Sequence, residues 1–511
     1  VLMLYIYNEC SINLNIKMQV PGLSSGTVCS GLGLDISRTQ ETACLRYDGF
    51  SFIRGNQGMS IFRLCVIAGA AVYTLATHAQ EVPSAEALKV YLGATLIDPD
   101  GGAPRPNTAI VVRGDRIEAV LDAARYVPAK GVRTVAVPGT FLVPGFIDAH
   151  VHLATPPERG IALAMLRRDL YGGVTAVRDM GDDARFMAGL AYGARFGEYP
   201  APDIFYTALF AGPEFFSDPR VQASSQGETA GQVAWMREVN AQTDLAQAVT
   251  LARGTGASAV KVYANLDAAA VAGIVAEAKR QGMPVWAHAA VFPASPLDVV
   301  QAGADTMSHV CMLAYQAQAM PQAYHRRADI DETNFRNGMP ESVKAVFAEM
   351  KRRGTVLDAT LLVYVTIERM RAEFPPGQGP PIYCSADLAG RIAKAAHAAG
   401  VEIAAGTDAP GTADDTYPAL QQEMALLVSQ AGMTPLQALR SATVLGARSL
   451  GRESEMGTIA PGKPANLVFL GADPSKASAA TRNVVLTVKR GQDFWRKDFV
   501  MPTPEEFGET P

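Results

Sequence analysis

Between residues 141 and 409 short apolar runs alternate with helical stretches, and the alternation repeats eight times. A short apolar strand followed by an amphipathic helix is a βα unit. Serial units of this kind impose a parallel sheet, because a strand can reach a parallel neighbour only through a crossover connection. The runs fall at residues 141–152, 174–180, 203–209, 257–264, 284–290, 306–310, 355–361 and 402–409. Alanine-rich helical spacing follows most of them, as at 267–281, 341–353 and 386–399. Eight units over about 260 residues match the size of a (β/α)8 barrel, typically ~250 residues. The expected fold is therefore α/β, with a TIM barrel over residues 141–450. The stretch 312–340, after the sixth run, is longer than an ordinary βα loop and is a candidate lid or substrate loop.

The two ends of the chain read differently. Residues 88–97 and 109–120 alternate as strands do, with Gly114-Asp115 as a turn signal. Residues 466–470 and 484–489 are short apolar strands bounded by Pro461-Gly462 and Gly491. These segments predict a small β-sandwich domain assembled from residues 80–140 and 451–511. Residues 59–79 have the form of a secretory signal peptide: Arg63 precedes an apolar run from Leu64 to Ala76, and Thr77-His78-Ala79 ends it as a cleavage site. Residues 1–58 carry no periodic pattern and read as an upstream extension, so the mature chain is expected to begin at Gln80 and to be periplasmic or secreted. That apolar run is too short for a membrane span, which takes roughly 20 residues. No integral span is expected after signal removal. A formal charge of −5 gives no basic surface for a phosphate backbone, so nucleic acid is not an expected partner.

Of six cysteines, only Cys311 and Cys384 lie beyond residue 80. Neither sits in a Cys-x-x-Cys spacing, which argues against a zinc ribbon or a thioredoxin-type motif, and whether the two pair is open at this level.

The histidines point to chemistry. His150 and His152 are two apart at the end of the first run, and a strand's period of two places both imidazoles on one side, where they can grip one metal ion. His288 falls near the end of the fifth run, His309 near the end of the sixth and Asp408 near the end of the eighth. Barrel active sites are built at the C-terminal ends of the strands. Imidazole with carboxylate suits zinc and similar divalent ions. Lys261 lies inside the fourth run, Ala259-Val-Lys-Val-Tyr263, with apolar neighbours on both sides. An ammonium in a barrel interior is costly unless it is paired, reaches the rim, or is converted. Condensation with carbon dioxide would turn it into an anionic carbamate.

The phrase Pro144-Gly-Phe-Ile-Asp-Ala-His-Val-His152 resembles the first-strand motif of the amidohydrolase superfamily, and Gly406-Thr-Asp408 resembles its eighth-strand motif. Met456-Gly-Thr-Ile-Ala-Pro-Gly-Lys-Pro-Ala-Asn-Leu467 is similar to the stretch that returns to its small β domain. The similarity runs over nearly all of residues 86–495. Within the superfamily the chain looks like the imidazolonepropionase-related branch, which holds metallo-dipeptidases, prolidase-like enzymes and amidases that remove an amino acid from an aromatic acyl group. The resemblance implies two divalent ions, most simply zinc. His150, His152 and Asp408 would hold one, His288 and His309 the other, and carbamylated Lys261 would bridge them. Imidazolonepropionase itself is usually mononuclear and lacks the bridging lysine, and this chain departs from it there. Homo-oligomers are a further expectation from the resemblance.

The implied activity is hydrolysis of an amide C–N bond in a small molecule, a dipeptide or an N-acyl amino acid, including aromatic amides of the ochratoxin type. Asp408 would act as general base and then acid. Substrate contacts are sought at Arg178, at the end of the second run, at Tyr263 beside Lys261, and at His325, Arg326 and Arg327 in the long loop. Arginine is the best clamp for a carboxylate. Two rival readings are a lactone or phosphotriester hydrolase on the same centre and a non-catalytic periplasmic binding protein that keeps the barrel.

Overall fold

A computed structural model describes residues 88–155, 157–375, 378–379, 381–409, 411 and 414–507. The expected signal segment and upstream extension lie outside the described residues. Among the described residues, no helix is long and apolar enough to cross a membrane.

The chain opens with β1 (Leu88–Leu96), β2 (Arg105–Arg113) and β3 (Arg116–Asp122), an antiparallel meander that turns at Gly114-Asp115. The strands β4 (Arg133–Ala136) and β5 (Phe141–Pro144) both run parallel to β1, each beside a different part of it. The barrel follows with β6 (Phe146–Val151), β7 (Val174–Asp179) and β8 (Asp203–Ala211). A small hairpin, β9 (Gln232–Val233) and β10 (Met236–Glu238), then attaches to the end of β8. The remaining barrel strands are β11 (Ala259–Val262), β12 (Val285–His288), β13 (Thr306–Ser308), β14 (Val356–Asp358) and β15 (Ile403–Ala404). The chain ends in β16 (Leu467–Leu470), β17 (Val484–Lys489) and β18 (Gln492–Trp495), and β16 pairs antiparallel with β5.

Eight parallel strands run in the order β6-β7-β8-β11-β12-β13-β14-β15, one for each apolar run of the sequence. The cylinder is drawn shut where Ala149 N donates to Ala405 O at 2.9 Å and Asp408 N to His150 O at 2.9 Å. Helices predicted at 267–281, 341–353 and 386–399 form as Ala268–Arg280, Glu341–Arg353 and Ala386–Ala398. Asp267 and Ser385 cap two of them by accepting a backbone N–H in the first turn.

The first apolar run splits in two. Residues Phe141–Pro144 belong to the small sheet, and the barrel begins at Phe146. Gly145 makes the transfer, because a Cβ there would lie 2.1 Å from Thr175 Oγ1. The sandwich expected from the chain ends is one eight-stranded sheet that divides at β1. Tyr91, Ile110, Ile117, Leu467, Phe469 and Leu486 from both halves share one core. Segments from both ends of the described residues thus seal the same small domain.

The barrel interior is layered by the strand period. Trp286, Thr306 and Val356 are register partners on β12, β13 and β14, and His288, Ser308 and Asp358, two residues on, form the next tier; Lys261 on β11 stands opposite Trp286, and Arg178 on β7 lies over the Trp286 ring. All eight are buried. An arginine, a lysine, a histidine and an aspartate buried together are too costly for a core unless they serve one another or a ligand.

Candidate metal centre

His150 lies in β6, and His152 follows it by one residue beyond the strand end. His288 closes β12, His309 follows β13, and Asp408 lies four residues beyond β15. Their rings and carboxylate converge. The His150 and His152 ring centroids are 5.5 Å apart, those of His150 and His309 4.9 Å, and those of His288 and His309 4.7 Å. Asp408 Oδ1 lies 3.6 Å from Nε2 of both His150 and His152, and Oδ2 lies 3.8 Å from His309 Nδ1. His150, His309 and Asp408 each offer a donor atom within 4.8 Å of the others, the spacing of a candidate metal site.

The backbone is bent to achieve this. His309 has φ 72°, Thr360 φ 49° and Asp408 φ 49°. Left-handed conformations in non-glycine residues cost about 1–3 kcal/mol each and persist only where the surroundings hold them. Here Asp408 N is held by His150 O, and Thr360 Oγ1 lies 3.0 Å from His309 Nδ1. Asp148, the aspartate of the first-strand motif, fixes the two ends of the barrel together. It accepts from His150 N at 3.0 Å, Thr407 N at 3.1 Å and Thr407 Oγ1 at 2.9 Å.

Burial pushes the His150, His288 and His309 imidazoles well below the usual histidine range, and it lowers His152 to about 4. All four rings are therefore neutral at pH 7, the form that binds metal. Four buried atoms of this region have no hydrogen-bond partner among the described residues: His150 Nε2, both ring nitrogens of His288, and Asp358 Oδ1. Three of the four are imidazole nitrogens at the centre of the cluster. Orphaned neutral imidazoles are what a metal ion would satisfy, so the donor set fits one.

Lys261 is fully buried, and its Nζ donates to Met180 O at 2.8 Å and lies 4.6 Å from the Tyr263 ring centre. Burial lowers it to about 7, against the pull of the Asp408 carboxylate. Among the described residues its side chain is buried without an ion pair, so the ammonium leans only on Met180 O and on the more distant charges of Asp408, Asp358 and Asp179.

The chain belongs to the amidohydrolase family. The family model described as "Amidohydrolase family" matches residues 141–493. An imidazolonepropionase of Cutibacterium acnes is 29% identical over 382 residues, covering 72% of this chain and 84% of that one. An ochratoxinase of Aspergillus niger is 26% identical over 440 residues, covering 76% and 82%. A dihydroorotase of Desulforapulum autotrophicum is 39% identical over a 92-residue segment that spans 21% of that relative. Among solved structures, A. niger ochratoxinase superposes with a TM-score of 0.61 at 22% identity, covering 80% of this chain and 96% of that one. A Xaa-Pro dipeptidase with bound methionine in the active site superposes at 0.62 and 21% identity, covering 80% and 100%. These superpositions bear on the fold.

Above the histidines opens a cavity of about 260 Å³ whose wall includes His152, Lys261, Tyr263, His309, Arg327 and Asp408. The long segment after β13 forms one side of it through Tyr315, Tyr324, Arg327 and Ile330, and the Cys311–Cys384 disulfide ties that segment to the chain before helix Ala386–Ala398.

The expected substrate contacts divide. Tyr263 lines the cavity, its ring 3.9 Å from His288 and 4.4 Å from Phe215. Arg327 lines it as well. His325 stacks on Phe215 at 5.9 Å with Nε2 3.7 Å from Asp218, and Arg326 pairs with Glu214 at 3.2 Å on the surface. Neither is among the cavity-lining residues. Arg178 is corrected outright. Its place on an inward strand position buries it completely beneath the histidines, over the Trp286 ring at 4.8 Å, where it donates to Asp358 at 2.9 Å and to Ala149 O. A substrate cannot reach it. The neighbouring Asp179 accepts from Leu153 N and Gly181 N.

Sequence reasoning missed Asp358, which holds His150 Nδ1 at 2.6 Å. That bond leaves Nε2 as the donor toward the centre. Gly406 is required beside it, because a Cβ would lie 2.2 Å from Asp358 Oδ1. It also missed Asp182, which accepts from Ala154 N at 2.8 Å and lies 4.0 Å from His152 Nδ1, and Arg220, which lines the cavity and grips Asp218 through two bonds of 3.0 and 2.7 Å. The signal that could have found Asp358 is its place inside the seventh apolar run, two residues beyond inward-facing Val356, where a carboxylate has no apolar reason to be.

Proposed function

We propose that this amidohydrolase cleaves the amide C–N bond of a dipeptide or N-acyl amino acid, aromatic amides of the ochratoxin type included, on a centre of two divalent ions. The observation that carries the reading is the convergence of His150, His152, His288, His309 and Asp408 around buried imidazole nitrogens that lack partners among the described residues. His150, His152 and Asp408 would hold one ion and His288 and His309 the other. The donor set of imidazole and carboxylate suits zinc. Lys261, whose amine burial lowers to about 7, would help hold the ions as a carbamate formed with carbon dioxide.

The ions, when bound, supply Lewis acidity at the scissile carbonyl and acidify a water. The protein's own part is proton traffic and placement. Asp408, within 3.6 Å of two imidazoles and open to the cavity, accepts the proton from the attacking water and returns it to the departing nitrogen. Water adds across the C–N bond, giving a carboxylic acid and an amine. Asp148 and Asp358 are buried behind the site and hold His150 in register. The Cys311–Cys384 disulfide supports an exported protein, since such bonds persist in oxidising compartments.

Metal analysis of zinc- or manganese-grown protein, paired with a panel of dipeptides, N-acyl amino acids, lactones and phosphotriesters, tests the reading. Two ions per chain with release of free amine supports it. Turnover confined to lactones or phosphotriesters overturns the C–N assignment, and less than one ion per chain with no turnover overturns the enzyme as described.

A further inference from the structure

Helix Leu361–Ala372 follows β14 and lends Val363, Tyr364 and Ile367 to the cavity wall. A helix begins with amide donors that nothing inside it can satisfy, and an N-cap threonine ordinarily serves one of them through its hydroxyl. The N-cap here is Thr360, and it makes no such bond; its Oγ1 lies instead 3.0 Å from His309 Nδ1. The missing acceptor comes from another helix. Glu423, in the first turn of helix Leu420–Ser429, accepts from Leu361 N through Oε1 at 3.0 Å and from Leu362 N through Oε2 at 2.7 Å.

Glu423 and Thr360 are both wholly buried, and among the described residues no cation pairs with the carboxyl. A carboxyl sealed from water without a cation costs stability, so packing alone does not account for it. What the arrangement holds is a ligand segment. His309 N donates to Asp358 O at 2.9 Å, Val310 N to Ala359 O at 3.2 Å and Cys311 N to Tyr364 Oη at 3.3 Å, so residues 309–311 lean on the turn that leads into helix Leu361–Ala372. A hydroxyl that accepts from Nδ1–H leaves Nε2 of His309 with the lone pair for a metal.

We propose that Glu423 is a positioning residue for His309: it serves the amides that Thr360 would otherwise cap, and so leaves the Thr360 hydroxyl to fix which imidazole nitrogen faces the metal. Without Glu423 the Thr360 hydroxyl would turn back to its own helix, as threonine side chains do beside free backbone amides. The His309 ring would then lose the bond that orients it. This deepens the two-ion reading and rests on it for what His309 binds, but the state of the ring can be read with no metal present.

The experiment compares the parent with Glu423→Gln, Thr360→Ala, Thr360→Ser and the double variant Glu423→Gln/Thr360→Ala, all as full chains. Glutamine keeps the shape and one acceptor, but its amide nitrogen accepts nothing, so one helix amide must find another partner. Competition against a chromogenic chelator measures the affinity for zinc. Nitrogen NMR of metal-free protein carrying isotope-labelled histidine reads the tautomer of each ring, with His309→Asn assigning the His309 signals. The parent should hold His309 in the Nδ1–H form. Glu423→Gln should mix the tautomers and weaken the more loosely bound ion by on the order of 10-fold, while Thr360→Ala should lose about 10–100-fold and Thr360→Ser should stay near the parent. The double variant should lose no more than Thr360→Ala alone, since both substitutions act along one route. A parental tautomer and parental zinc affinity in Glu423→Gln overturn the proposal. Losses that add in the double variant overturn it as well, because Glu423 would then act on the site without Thr360. Should the parent bind fewer than two ions, the two-ion reading falls, and the His309 tautomer in Glu423→Gln still decides the positioning role.

Discussion

Replacing Asp358 by asparagine should damage two separable properties at once. One oxygen, Oδ2, accepts from His150 Nδ1 at 2.6 Å, Arg178 at 2.9 Å and Ser308 Oγ at 2.9 Å. Arg178 and Asp358 are both wholly inaccessible to solvent. Asparagine preserves the shape and one acceptor but removes the charge, so the Arg178 guanidinium stays buried without its counter-ion. Breaking a buried pair in this way costs about 3–5 kcal/mol. The same substitution takes the charge from the bond that orients His150, and outer partners of a metal-binding histidine alter affinity by roughly 10–100-fold. Chemical denaturation of metal-free protein reads the first loss, and competition against a chromogenic chelator reads the second. Combining Asp358→Asn with Arg178→Met should cost less stability than the sum of the two single variants, because the stranded charge is gone. Metal-free stability within about 0.5 kcal/mol of the parent, together with unchanged metal affinity, would refute the reasoning.

Asp408→Asn should keep the fold and lower turnover by about 10²–10⁴-fold; near-parental turnover in the metal-loaded variant removes Asp408 from the proton pathway. Lys261→Ala should bind fewer ions per chain than the parent, with activity partly restored by added formate or acetate, and isotope-labelled bicarbonate should give a carbamate carbon signal in the parent alone. Full metal content in Lys261→Ala argues against a bridging role. Glu423 tests the electrostatics away from the centre: burial pushes it up to about 8 against the pull of the Leu361 and Leu362 amides that it accepts from. Because the folded state holds this proton to higher pH than the unfolded chain, whose glutamate titrates near 4.3, the stability it contributes falls as pH rises from there to about 8. Urea denaturation at both ends of that window should show Glu423→Gln gaining on the parent as pH increases, and a difference that stays flat sinks the prediction.

Much of the molecule was legible before any coordinates. The apolar runs gave eight strands in order, since a strand buried on both faces must be apolar nearly throughout. The four clustered histidines and Asp408 stood out because polar residues at or near the ends of such runs have little other reason to be there. Lys261 stood out as a charged residue inside an apolar run, and the structure buries it. Arg178 misled because the strand period shows that a side chain points inward without showing what lies beyond it. The split of the first run at Gly145 was hidden because apolar residues serve a small sheet and a barrel equally well.

What the sequence determined alone was periodic: which segments are strands, which helices, and which polar side chains face into the cylinder, all local consequences of backbone geometry. Tertiary closure decided the rest. Asp358 became the partner of His150 across 208 positions of chain, Arg178 became a buried counter-ion, and Arg327 came to stand between two tyrosine rings from separate loops. Pairings of that kind depend on which strands become neighbours, and no local pattern carries that information.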